Sequence, residues 1–139
     1  MSGEKKILNA LDAAGCAPVP LSHRETWSWQ QRWRTVFAKE LHAATGKWVF
    51  NDFDWHVFSF GHHESKMANA AWAEYRRLEP CSFLVLSAEN RRTFGFTCNG
   101  KPPDRLKAGI DILVTPTSLE WTMVFTHEEP VCGPYFAVP

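Results

Sequence analysis

The sequence predicts an α+β fold: a mainly antiparallel sheet of about five strands with two or three helices packed on one face. Three observations predict it. Apolar residues recur at helical spacing early in the chain, alternate at strand spacing late in it, and are divided by short turn-forming stretches. The 139 residues are expected to form one domain over positions 1–139, since no repeat, low-complexity tract or long linker interrupts them. A chain of that size can bury roughly two-thirds of its unfolded surface.

A first helix is expected over residues 4–14, where Ile7, Leu8, Leu11 and Ala14 share a face and Gly15 suits the position beyond the cap. Ala17-Pro18-Val19-Pro20-Leu21 reads as extended chain, because each proline pushes its predecessor out of helical geometry. Ser22-His23-Arg24-Glu25 has the capping-box pattern and should open a long helix to about residue 44, with Gly46 ending it. Trp29, Trp33, Val36, Phe37 and Leu41 form its core-facing stripe. Trp27 lies about 200° from Trp29 around the axis, so it is either covered by the proline-rich segment or left as an exposed anchor.

Trp48-Val49-Phe50 begins the sheet region and Asn51-Asp52 makes a turn. Residues 53–60 read as a strand apolar on both faces. A shorter helix is expected over residues 64–78, closed by Pro80. Residues 82–88 and 93–98 form a hairpin across Glu89-Asn90-Arg91-Arg92. A loop at Asn99-Gly100 and Pro102-Pro103 precedes one helical turn over residues 104–108, and strands follow over 110–115 and 120–128. In the last strand Trp121, Met123, Phe125 and His127 share one face, and Glu120, Thr122, Thr126 and Glu128 share the other. Pro130, Gly133 and Pro134 stop it, and Tyr135-Phe136 folds back as an apolar tail.

Composition narrows the function classes. Lys+Arg and Asp+Glu both number 15, so the basic excess of a sequence-independent nucleic-acid binder is missing and nucleic acid is not an expected partner. The N-terminus is charged and leads into an amphipathic segment, which predicts no signal peptide, no membrane span and a cytoplasmic location. Cys16, Cys81, Cys98 and Cys132 are dispersed without a C-x-x-C pair. Separate buried thiols are expected, with a disulfide or zinc ligation as the alternatives. Cys81 and Cys98 bracket the hairpin.

Several stretches together resemble a known family. Trp55-His56-Val57-Phe58-Ser59, Asp111-Ile112 with Val114, Trp121-Thr122 with Val124, Thr126-His127-Glu128 and Gly133-Pro134-Tyr135-Phe136 stand in the order and spacing of a bacterial family of unknown function, number 4275. Trp33 and Phe37 match its N-terminal pattern. The chain departs from it at Phe60, where the family has Tyr, and at Thr115-Pro116, where it usually has an acid. The resemblance implies a small soluble bacterial protein and brings no activity with it.

His56 and His127 are the candidates for chemistry, each expected in a strand with Asp54, Glu128 or Glu129 close by. If those strands are neighbours, His56, His127 and Glu128 form an acid–base or metal site. If not, each imidazole packs among rings. The spacings H-x-H, H-x-x-x-H and H-E-x-x-H are absent, so neither metal nor cofactor is expected. No phosphate loop or G-x-S-x-G is present either. The first expectation is therefore a protein-binding function: an immunity protein or antitoxin that occludes a cognate toxin through Trp27, Arg91 and Arg92. The alternative is a small acid–base or metal-dependent hydrolase using His56, His127 and Glu128. An RNA-binding sheet using Phe94 and Phe96 ranks third.

Overall fold

The computed structural model describes residues 2–49, 53–88, 93–104, 106, 110–129 and 133–139. Its first helix, α1 (Gly3–Ala13), ends one residue earlier than expected, with Ala14 as its cap and a left-handed Gly15 beyond the cap as the sequence predicts. β1 (Val19–Pro20) is the proline-rich segment laid along a sheet edge. Ser22 and Glu25 close their capping box with two 3.1 Å hydrogen bonds and start α2 (His23–Phe37). The long helix is not continuous. It bends at Ala38 (φ −109°) into α3 (Lys39–Thr45), and the bend sends Phe37, Ala38 and Leu41 into one cluster. Gly46, left-handed, ends α3.

Residues 53–60 are not a strand. Phe58 N–H donates to the Trp55 carbonyl and Phe60 N–H to that of His56, both at 3.0 Å, so the backbone closes on itself as the one-turn helix α4 (His56–Ser59). A short run apolar on both sides has no period that separates these outcomes. The expected helix 64–78 is shortened to α5 (Asn69–Arg76), because β2 (Lys66–Met67) pairs with the C-terminus instead.

β3 (Cys81–Ser87) and β4 (Gly95–Gly100) form the hairpin. β5 (Ile112–Pro116) and β6 (Thr122–Phe125) follow, and the apolar tail is itself a strand, β7 (Tyr135–Ala137). The hairpin loop 89–92 and the turn at 51–52 lie outside the described residues, as does most of the expected helical turn 104–108. Among the described residues there are five helices and one antiparallel sheet of seven strands, in the order β1-β4-β3-β5-β6-β7-β2. The expected fold class holds, with more strands and helices than foreseen.

The helices do not share one face. Phe83 and Val85 on β3 pack with Ile7 and Leu11 of α1 and with Ala71 and Tyr75 of α5. Leu84 and Leu86 point the other way, against Trp33 and Phe37 of α2, Leu41 of α3, and Val57 and Phe58 of α4. Successive strand residues face opposite sides, so the sheet is covered twice. The central strands are accordingly buried on both faces, and Thr122, expected on a polar face, instead meets α2. Its hydroxyl accepts the Trp33 indole N–H at 2.9 Å and donates to the Val114 carbonyl at 3.2 Å.

Candidate functional site

The end of β3 brings together segments far apart in sequence. Ala88 accepts the Asp54 N–H and donates its own N–H to the Asp111 carbonyl, each at 3.0 Å. One residue thus holds the α4 segment and the start of β5 side by side. From α2, Arg34 grips Asp54 through two bonds of 2.8 and 3.3 Å, and both side chains are buried. Burial raises the Asp54 carboxyl above its usual range, and the guanidinium opposes that rise.

Asp111 is the centre of the arrangement. Its side chain is 1% exposed, and Oδ1 accepts the backbone N–H of His127 at 3.0 Å. The His127 ring also comes to it, with Nδ1 2.9 Å from Oδ2 and 3.0 Å from Oδ1. A carboxylate oxygen accepts, so Nδ1 is the donor in these bonds and Nε2 is the ring nitrogen left to take up or give a proton. Glu128 Oε1 stands 3.8 Å from that Nε2. The His127 side chain is 38% exposed, so it is open to solvent.

His56 joins the same cluster. Its ring lies 4.1 Å from that of Trp55, 5.9 Å from Phe53 and 5.2 Å from Phe60. His127 packs on Phe53 at 5.0 Å and on Trp55 at 6.3 Å, so both imidazoles rest against the same two rings. Ser59 Oγ lies 3.1 Å from His56 Nδ1. Burial lowers the pKa of His56 below its ordinary 6.5, while Glu128 and Asp111 pull it upward. Behind the cluster, the Tyr135 ring stacks on Trp55 at 6.1 Å and meets Phe58 at 5.9 Å. Gly133 (φ +94°) makes that return possible, since a Cβ there would meet Thr126 Cγ2 at 3.0 Å.

His56 and His127 therefore meet, though neither sits in a strand. His56 opens α4, and His127 lies in the turn beyond β6, which ends at Phe125. Asp111 had no expected role. Its one signal was its place directly before an apolar strand, within a stretch that carries the resemblance. Of the expected partner-binding residues, Trp27 is 59% exposed. Arg91 and Arg92 lie outside the described residues. Phe94 and Phe96 are buried, which removes the RNA-stacking platform. Cys16, Cys81 and Cys98 are free thiols, and Cys132 lies outside the described residues. Burial first, then the neighbouring Cys16, pushes the Cys98 thiol up to about 12. Among the described residues, no group of three or more His, Cys, Asp or Glu side chains is arranged to hold a metal ion, and no helix is long and apolar enough to cross a membrane. A groove of about 970 Å³ borders Lys39, Phe58, His63 and Val138 and contains none of the cluster's polar groups.

Residues 19–136 match the family described as Domain of unknown function (DUF4275). The chain belongs to that family. The match spans every residue of the Asp111–His127–His56 cluster and the ring of Tyr135 behind it. No curated protein and no solved structure matches the chain. Four stretches of this chain, W-H-V-F-S, D-I, T-H-E and G-P-Y-F, scattered over some eighty positions, converge in this one place.

Proposed function

We propose that this protein is a small hydrolase in which His127 is the general base, Asp111 fixes its tautomer, and His56 and Glu128 complete the site. One observation carries the reading: the buried Asp111 carboxylate takes both the backbone N–H and the ring Nδ1–H of His127. Capping the turn requires only the first of these bonds. The second holds Nδ1 and leaves Nε2, beside Glu128, as the nitrogen that can exchange a proton, the arrangement that acid–base catalysis needs. In the reaction, Nε2 removes a proton from water as the water oxygen bonds to the electrophilic carbon or phosphorus. The imidazolium, stabilised by Asp111, then gives that proton to the leaving group as its bond breaks.

A second reading, occlusion of a toxin by an immunity protein or antitoxin, is favoured by the exposure of Trp27 on a helix whose other face is anchored in the core. One comparison separates the two. The purified protein is assayed on a carboxylic ester, an amide, a glycoside and a phosphomonoester, beside His127→Gln, Asp111→Asn and Trp27→Ala. The hydrolase reading expects turnover of at least one substrate, reduced about a hundredfold or more in the first two variants and unchanged in the third. Absence of turnover, together with a protein partner captured by wild type and lost in Trp27→Ala, replaces it with the binding reading.

A further inference from the structure

The outer face of α2 carries unbalanced positive charge. Arg24, Trp27, Ser28, Gln31 and Arg32 fall within about 140° of one another around the helix axis. Both arginines are exposed, and so is Trp27, at 59%. The single carboxylate of α2, Glu25, accepts the Ser22 N–H at 3.1 Å and is held at the start of the helix. The third arginine of α2, Arg34, is buried on Asp54. Among the described residues, Arg24 and Arg32 make no ion pair.

The same side chains border a concave place. A groove of about 400 Å³ is lined by Arg24, Glu25, Ser28, Trp29 and Arg32, so a stripe at i, i+4 and i+8 runs along it. The Arg32 guanidinium carbon lies 4.7 Å from the centre of the Trp29 ring. A guanidinium stacked through its face keeps its in-plane N–H donors for a bidentate acceptor. Trp27, at the edge of the arc, supplies an apolar ring that burial in a complex would favour. Two cations beside an aromatic ring complement carboxylates interspersed with apolar side chains.

Other anionic partners fit less well. A nucleic-acid binder neutralises a run of phosphates, and this chain has no basic excess, with 15 Lys+Arg against 15 Asp+Glu. An anionic membrane surface is recognised by clusters of roughly four or more cations. Two arginines with a glutamate at the groove edge match a few carboxylates better than either.

We propose that the outer face of α2 docks an acidic protein segment, with carboxylates on Arg24 and Arg32 and an apolar side chain on Trp27. The inference is independent of the hydrolase reading, and it gives the binding reading a partner of stated chemistry.

A fluorescein-labelled peptide of glutamates with interspersed leucines is titrated with the whole protein and followed by anisotropy. Beside it run the same peptide with glutamine for glutamate, a single-stranded oligonucleotide and phosphatidylglycerol vesicles. The acidic peptide should bind about tenfold or more tighter than its glutamine counterpart, and less tightly as salt is raised. Arg24→Glu/Arg32→Glu and Trp27→Ala should each weaken it about tenfold or more. Both variants should melt with wild type, since these side chains are exposed. No binding of the acidic peptide, equal binding of the glutamine peptide, or affinity that survives both variants overturns the inference. An oligonucleotide or vesicle bound more tightly through Arg24 and Arg32 overturns it too, because the anion would then be a phosphate. So does self-association of the protein alone that Trp27→Ala abolishes, which would make the occupant a second copy. Failure of the peptide together with a toxin captured through Trp27 would sink this inference and leave the binding reading standing.

Discussion

At His56, burial works against two carboxylates. It lowers the pKa below 6.5, with Glu128 and Asp111 in opposition. The unfolded chain consequently binds a proton at this position more readily than the folded one, so stability falls as pH drops below about 6.5. Melting temperature measured from pH 7 to pH 5 should decline more steeply in wild type than in His56→Gln, which has no proton to gain. Identical slopes would show that the imidazole titrates as it does in the unfolded chain. Residues of this kind were partly legible. Histidine types and the nearby Glu128 marked the site from sequence, whereas Asp111 did not, because a single Asp before an apolar strand looks like any strand-capping residue. Only the fold gives it a partner, 16 positions away.

Elements were legible where they carried their own instructions. The capping box set the start of α2, and Gly15 and Gly46 set the ends of α1 and α3. β1 and β2 carried none: two residues each, they are strands because β4 and β7 supply the hydrogen bonds. The residues around α4 misled for the opposite reason, since their aromatic richness imitates a strand while their packing is tertiary. What fixes that segment is the buried Arg34–Asp54 pair reaching down from α2. Arg34→Met leaves a buried carboxylate alone and should destabilise the protein by about 3–5 kcal/mol at neutral pH. Without the guanidinium nothing opposes the burial that raises the Asp54 pKa. The folded variant then holds a proton there above the usual carboxylate range, so its deficit should shrink as pH falls. The double variant Arg34→Met/Asp54→Leu should recover most of the loss at neutral pH. Chemical denaturation of the three proteins at two pH values checks all of this, and a double variant no better than Arg34→Met would contradict it.

At the scale of the whole molecule, the sheet has helices on both sides, and the strand read as a tail lies inside it. The alternating pattern in β6 suggested one buried face. Yet Val124, and the neighbour Trp33 gives to Thr122, show the second face buried too. β7 connects the two layers. Its Tyr135 belongs to the cluster under α2 and α4, its Phe136 to the cluster under α1 and α5, and β7 alone pairs β2 with the rest of the sheet. Tyr135→Ala and Phe136→Ala should therefore each cost about 3–5 kcal/mol, in different cores. Deleting residues 133–139 removes both rings, the pairing of β2, and the ring stacked on Trp55 behind the candidate site. Those losses together match or exceed the 5–15 kcal/mol that usually holds a domain folded. The truncated chain should lose the dispersed ¹H–¹⁵N spectrum and cooperative melting of wild type, while each point variant still melts cooperatively at a lower temperature. A truncated protein that melts where wild type does would mean that β7 rests on the sheet without supporting it.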